Sequence, residues 1–160
     1  MLDQQIEPLD QAVKAEAQRD KMALLLQTQP GVGPITALAY VLTMGDVSRF
    51  PRGKQVASYL GLIPREHSSG GRQKLGAITK QGNRMPRMLL VEAAQIAVRY
   101  DPGLRKQYLH RCHQKPKGVA KVAAARKLAV RLYGRLRTQV AYPEIVRIES
   151  SSRGPLVAAS

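Results

Sequence analysis

Gly61–Arg87, GLIPREHSSGGRQKLGAITKQGNRMPR, interrupts a chain that otherwise reads as a succession of helices. Residues 61–81 hold four glycines and no helical apolar period, so they read as a loop or a short, irregular hairpin. Arg65, Arg72, Lys74, Lys80, Arg84 and Arg87 stand in this stretch against a single acid, Glu66. Ser68 and Ser69 precede Gly70 and Gly71, where a chain can fold tightly and leave a hydroxyl uncovered. An uncovered hydroxyl ringed by cations suits a phosphate, either gripped or attacked. The same composition also makes an ordinary basic turn.

Charge moves the balance toward a polyanion. The formal net charge is +15 over 160 residues, and residues 61–160 carry all of it. So one-sided a distribution points to nucleic acid or an anionic membrane surface. No apolar run approaches the roughly 18–20 residues of a membrane span. The opening MLDQQIEPLDQAV has neither a basic n-region nor an apolar h-region. Nucleic acid is the expected partner. With no Trp and one Phe (Phe50), the core must be aliphatic, which favours helices and argues against base-stacking aromatic platforms. The lone Cys112 leaves no intrachain disulfide and fits a reducing cytoplasm. His110, Cys112 and His113 are crowded without a distant fourth ligand, so no metal is expected there.

The expected fold is mainly α: a helical domain with a helix-hairpin-helix-like element and an irregular Gly/Ser-rich loop, preceded by a coiled-coil-like helical arm. Residues 1–28 form the arm, with one helix over 8–28 and an apolar seam at Leu2, Ile6, Leu9 and Val13 that decays at Glu16 and Asp20. The arm either pairs weakly with another or docks on its own domain. Residues 29–145 form the main domain. Pro30-Gly31-Val32-Gly33-Pro34 separates two apolar helices, and Gly31 and Gly33 would let backbone amides approach a phosphate. Further helices are expected over 54–60, 84–100 (capped by Asn83), 104–112 and 118–140. In the helix over 84–100, Met85, Met88, Leu89, Ala93, Ile96 and Ala97 can share a face. In the last, Lys127, Arg131 and Arg135 step by four along an outer face with no interleaved acid, as a phosphate-contacting stripe would. Residues 146–160 read as a disordered tail.

The ordered series PGVGPITAL, GDVSRF, ASYLGLIP, SSGG and TKQGN resembles the C-terminal domain of the DEDD-type, bridge-RNA-guided bacterial insertion-sequence transposases, over about residues 22–140. The resemblance implies DNA transposition in which a serine of the Ser-Ser-Gly-Gly turn attacks a DNA phosphodiester and holds it as a phosphoserine link. The matching position, five residues after Pro64, is Ser69, and Ser68 is the other candidate. The resemblance also implies DNA and a structured guide RNA as partners, self-association through the arm, and a bacterial, nucleoid-associated location. Its divalent metal (Mg) belongs to an N-terminal ribonuclease-H-like domain that has no counterpart in this sequence. A second departure is Met85-Pro86-Arg87, where the family usually keeps a leucine before the arginine.

Arg65, Arg72 and Lys74 are the cations that would stabilise charge on a five-coordinate phosphorus. Thr79, Lys80, Asn83 and Arg84 sit at a helix entry and could anchor a neighbouring phosphate. His67 is either a base for the serine or a solvated histidine. Two functions remain open: the strand-transfer part of a serine-dependent recombinase, or a non-catalytic nucleic-acid-binding remnant or regulator. A general basic RNA binder comes third.

Overall fold

The computed structural model describes residues 2–69, 72–78 and 84–142, with side chains described over 7–63 and 84–142. The chain runs through α1 (Leu2–Arg19), α2 (Lys21–Leu26), α3 (Pro34–Met44), a 3-10 turn (Val47–Arg49) and α4 (Gly53–Tyr59). It continues through β1 (Pro64–Ser69), β2 (Arg72–Ile78), α5 (Arg84–Tyr100), α6 (Pro102–Gln114) and α7 (Lys117–Thr138). The architecture is mainly α, as the aliphatic composition requires. Within the segment expected to be a loop or a short, irregular hairpin, residues 64–69 and 72–78 are two paired strands. The expected tail lies outside the described residues.

The single helix expected over 8–28 is two. Asp20 has extended backbone (φ −85°, ψ 114°), and its carboxylate accepts from the N–H groups of Met22 and Ala23 at 2.8 and 3.1 Å. A capping aspartate competes locally with helix continuation, and here it wins. The corner lets both α1 and α2 pack on α3. Ala17 is buried and Val13 packs against the core, so α1 is docked on its own domain over that part. Leu9 stays exposed, while the side chains of Leu2 and Ile6 are not among those described.

α7 is the axle of the domain, packing against α2, α4, α5 and α6. Its buried face alternates small and large: Ala120, Ala124, Ala125 and Ala129 with Leu128, Leu132 and Leu136. The alanines let neighbouring helices approach closely, and each fully buried leucine contributes roughly 2 kcal/mol by removal from water. Polar side chains pin the axle. The Tyr40 hydroxyl donates to Ala129 O at 2.7 Å, and the Tyr133 hydroxyl donates to Phe50 O. Burial pushes the Tyr40 phenol far up, so it remains a donor.

α5 buries a face rotated from the one expected, keeping Ala93 and Ala97 of the expected set inside. Pro86, Leu90, Ala93, Ala94, Ala97 and Val98 turn inward, whereas Met85, Met88 and Ile96 are exposed. Both faces carry apolar residues, and the one rich in alanine wins because it admits α3 and α7 at close range.

Candidate active site and nucleic-acid interface

β1 and β2 form an antiparallel ribbon with His67 opposite Lys74, Ser68 opposite Gln73 and Ser69 opposite Arg72. The register shifts between Pro64 and Glu66, beside a proline that has no N–H to give the ladder. Ser69 closes β1 and Arg72 opens β2. Successive strand positions alternate faces, and cross-strand partners share one. Positions 67, 69, 72 and 74 therefore fall on one face of the ribbon: His, Ser, Arg and Lys. Positions 66, 68, 73 and 75 fall on the other: Glu, Ser, Gln and Leu. The two serines thus stand in chemically unlike company.

The remaining expected contacts divide by location. Arg65 lies in β1 at the register shift. Thr79, Lys80 and Asn83 lie outside the described residues. Arg84 is exposed at the start of α5, and Arg87 is half-buried with an Nη1 that finds no hydrogen-bond partner among the described residues.

Gly31 and Gly33 turn out to do different things. Gly31 has φ +88°, and a Cβ there would stand 2.5 Å from Ala93 O and 2.8 Å from Ala97 N. Its backbone is pressed against α5, so the glycine serves helix contact rather than an open phosphate site. Gly33 is exposed, caps α3 with extended backbone, and has open space where a Cβ would point.

The outer stripe on α7 also needs correction. Lys127 is exposed as expected. Arg131 instead donates to Asp101 Oδ2 at 2.6 Å. Arg135 is buried, with its guanidinium carbon 4.9 Å from the Tyr142 ring centroid. Each step of four residues advances about 40° round an α-helix, so a stripe at i, i+4 and i+8 rotates toward the core.

A cluster that sequence reasoning missed, apart from Lys127, meets the chain just before β1. Lys54 of α4, Arg111 of α6, and Arg126 and Lys127 of α7 line a cleft of about 390 Å³ together with Ile63, the residue before β1. Burial and the neighbouring Arg111 charge hold the Arg126 guanidinium below its ordinary pKa. The excess charge after residue 100 was the signal, but it carried no information on which cations meet.

Among the described residues no three His, Cys, Asp or Glu side chains group to hold a metal ion. The divalent ion implied by the resemblance has no fitting donor set among them. No described helix is long and apolar enough to cross a membrane.

Residues 23–109, which include the ribbon and its serines, match the transposase IS116/IS110/IS902 family. The chain belongs to that family. It is 36% identical over 145 residues to the "Probable family 20 transposase" of Pseudomonas aeruginosa, covering 88% of this chain and 43% of that protein. It is 38% identical over 98 residues to the transposase for insertion sequence element IS1111A of Coxiella burnetii, covering 61% of this chain and 27% of the other. The pilin gene-inverting protein of Moraxella bovis matches at 35% over 132 residues, 79% of this chain and 40% of that protein. The chain thus spans less than half the length of these relatives.

Proposed function

We propose that this chain supplies the strand-joining part of an insertion-sequence transposase, with Ser69 as the nucleophile. The observation that carries the reading is the ribbon register, which groups position 69 with Arg72, His67 and Lys74 and groups Ser68 with Gln73 and Glu66. In the reaction, Ser69 Oγ loses its proton and bonds to a DNA phosphorus. The phosphorus–oxygen bond to the leaving strand breaks, and that strand's oxygen takes up a proton. Attack on the phosphoserine by the hydroxyl of another strand end then restores the serine and forms the new phosphodiester. Two bonds form and two break, so no external energy source is needed.

The chemistry assigns roles to the face. A free serine hydroxyl is a weak nucleophile, so its alkoxide and the five-coordinate phosphorus need positive charge close by. Arg72 and Lys74 supply it. His67 lies two strand positions from Ser69, about 6.8 Å along the backbone, and is the candidate base for the serine proton. DNA, a structured guide RNA and a second copy of the chain complete the proposed assembly. Leu9 is an exposed residue of the α1 seam through which such copies would pair.

The test is chemical trapping. Denaturant-resistant protein–DNA adducts are collected from a transposase of full family length carrying this segment, and the linked peptide is mapped by mass. A link within residues 66–72 supports the reading; a link elsewhere removes it. A non-catalytic nucleic-acid-binding role is the second reading, favoured by the net charge of +15.

A further inference from the structure

Two clefts flank α6, and each is lined by four cations and no carboxylate. They differ in how those cations are used. In the cleft between α5, α6 and the start of α7, Arg105 is already committed. It donates to Val98 O at 3.1 Å and to Arg99 O, closing the α5–α6 corner. In the cleft between α4, α6 and α7, Arg111 and Arg126 are both half-buried, and the Arg111 charge acts on Arg126. Neither guanidinium donates a hydrogen bond to, or pairs with, any described residue; the ion pairs among those residues are Lys14–Asp10 and Arg131–Asp101. Each guanidinium carries five N–H donors, and leaving such donors half-buried beside a like charge is costly. An anion between them removes the cost, offsetting the repulsion and accepting the free donors.

The surroundings say which anion. Lys54 and Lys127 stand exposed on the same cleft, so positive charge extends beyond a single ion's reach. Its volume of about 390 Å³ lies within the range of about 300–1,000 Å³ typical of small-ligand clefts, ample for a nucleotide unit. Val130 gives the floor an apolar surface against which a sugar can lie. Ile63 leads directly from the cleft wall into β1, so whatever occupies the cleft passes the base of the ribbon. A free polyphosphate shares the phosphate chemistry but has no use for the apolar floor or the adjacency.

We propose that the α4–α6–α7 cleft is a phosphodiester-binding site, in which Arg111 and Arg126 grip one backbone phosphate of a nucleic-acid strand and Lys54 and Lys127 hold its neighbours. The site does not depend on the serine assignment: a chain with no catalytic serine would still bind there.

The test uses the full chain with a labelled DNA duplex, a single-stranded RNA of matched length, and inorganic tripolyphosphate. Arg111→Gln/Arg126→Gln and Lys54→Gln/Lys127→Gln each remove two charges from the cleft. Lys117→Gln/Lys121→Gln removes two from the other side of α6. Each cleft variant is expected to weaken nucleic-acid binding about tenfold and to make the salt slope shallower by about two, one per lost phosphate contact. The control variant is expected to weaken it less than about threefold, through diffuse charge alone. Whichever of duplex or RNA loses more affinity is the strand the cleft holds. Removing the like-charged pair is expected to leave the melting temperature unchanged or higher. Should Arg111→Gln/Arg126→Gln fail to fold, the exposed lysine pair decides. Equal weakening by all three variants overturns the proposal in favour of diffuse charge. Loss of tripolyphosphate-induced thermal stabilisation with nucleic-acid affinity unchanged overturns it in favour of a free polyphosphate site.

Discussion

Asp101 Oδ2 lies 2.6 Å from Arg131 Nη1 and 3.0 Å from Gln29 Nε2, so one buried carboxylate ties α7 and the turn after α2 to the corner between α5 and α6. Its other oxygen caps α6, accepting from Gly103 and Leu104 N–H at 3.0 and 3.1 Å. Burial pushes the Asp101 carboxyl up, but the hydrogen bonds from Gln29 and Leu104 and the charge of Arg131 outweigh it, leaving the pKa below the ordinary value of 3.8. The group therefore binds its proton less readily folded than unfolded. Its contribution to stability is complete at neutral pH and is lost as pH falls below 3.8 through the folded value. Asp101→Asn is expected to cost about 3 kcal/mol at pH 7, since it strands Arg131 and weakens the cap. The gap in melting temperature between wild type and variant should close as pH drops below the unfolded value. A gap that stays constant into acid would mean that the carboxylate's charge contributes nothing.

Gly31 and Gly33 separate a packing role from a binding role. Gly31→Ala puts a methyl group into the α5 backbone at a positive φ and is expected to cost about 2 kcal/mol or more. Gly33→Leu meets open space at an ordinary φ, so its stability cost should stay near 1 kcal/mol. If phosphate approaches the start of α3, Gly33→Leu weakens nucleic-acid binding while the melting temperature barely moves. Unchanged affinity would remove α3 from the interface.

The helical class, the order of the helices and the break in helical period between α4 and α5 were legible because each rests on local chemistry. Pro34 and Pro102 open helices, Asp101 caps one, and the glycines of 61–81 interrupt the helical period. Facing was less legible. α5 has apolar residues on two sides, and only the approach of α3 and α7 decides that Leu90 and Ala94 are buried while Met88 is not. Arg135 reads as a solvated cation in sequence, yet the rotation of a four-residue step carries it under Tyr142. Asp20 could equally have continued a helix, and its cap competes by a margin of about 1 kcal/mol that sequence period does not register. The cleft cations come from α4, α6 and α7, so their meeting is a property of the packing.

Nucleic-acid binding should be steeply salt-dependent. With a net charge of +15 and about six phosphates neutralised, log K is expected to fall against log salt with a slope of about −5. Titrations of one duplex and one unrelated duplex at several ionic strengths measure it, and the two should agree closely. Affinity indifferent to salt would contradict an electrostatic interface.

The central claim is that Ser69, on the cationic face of the ribbon, is the attacking residue. The most direct measurement compares Ser69→Ala with Ser68→Ala in a full-length family transposase carrying this segment, scoring DNA binding, strand transfer and the covalent protein–DNA adduct. Ser69→Ala is expected to abolish adduct and strand transfer while leaving DNA affinity within about twofold, because one hydroxyl contributes little beside many charge contacts. Ser68→Ala, on the opposite face, should keep appreciable activity. An adduct that persists in Ser69→Ala and vanishes in Ser68→Ala would contradict the assignment, and one that survives both would take serine catalysis out of the ribbon.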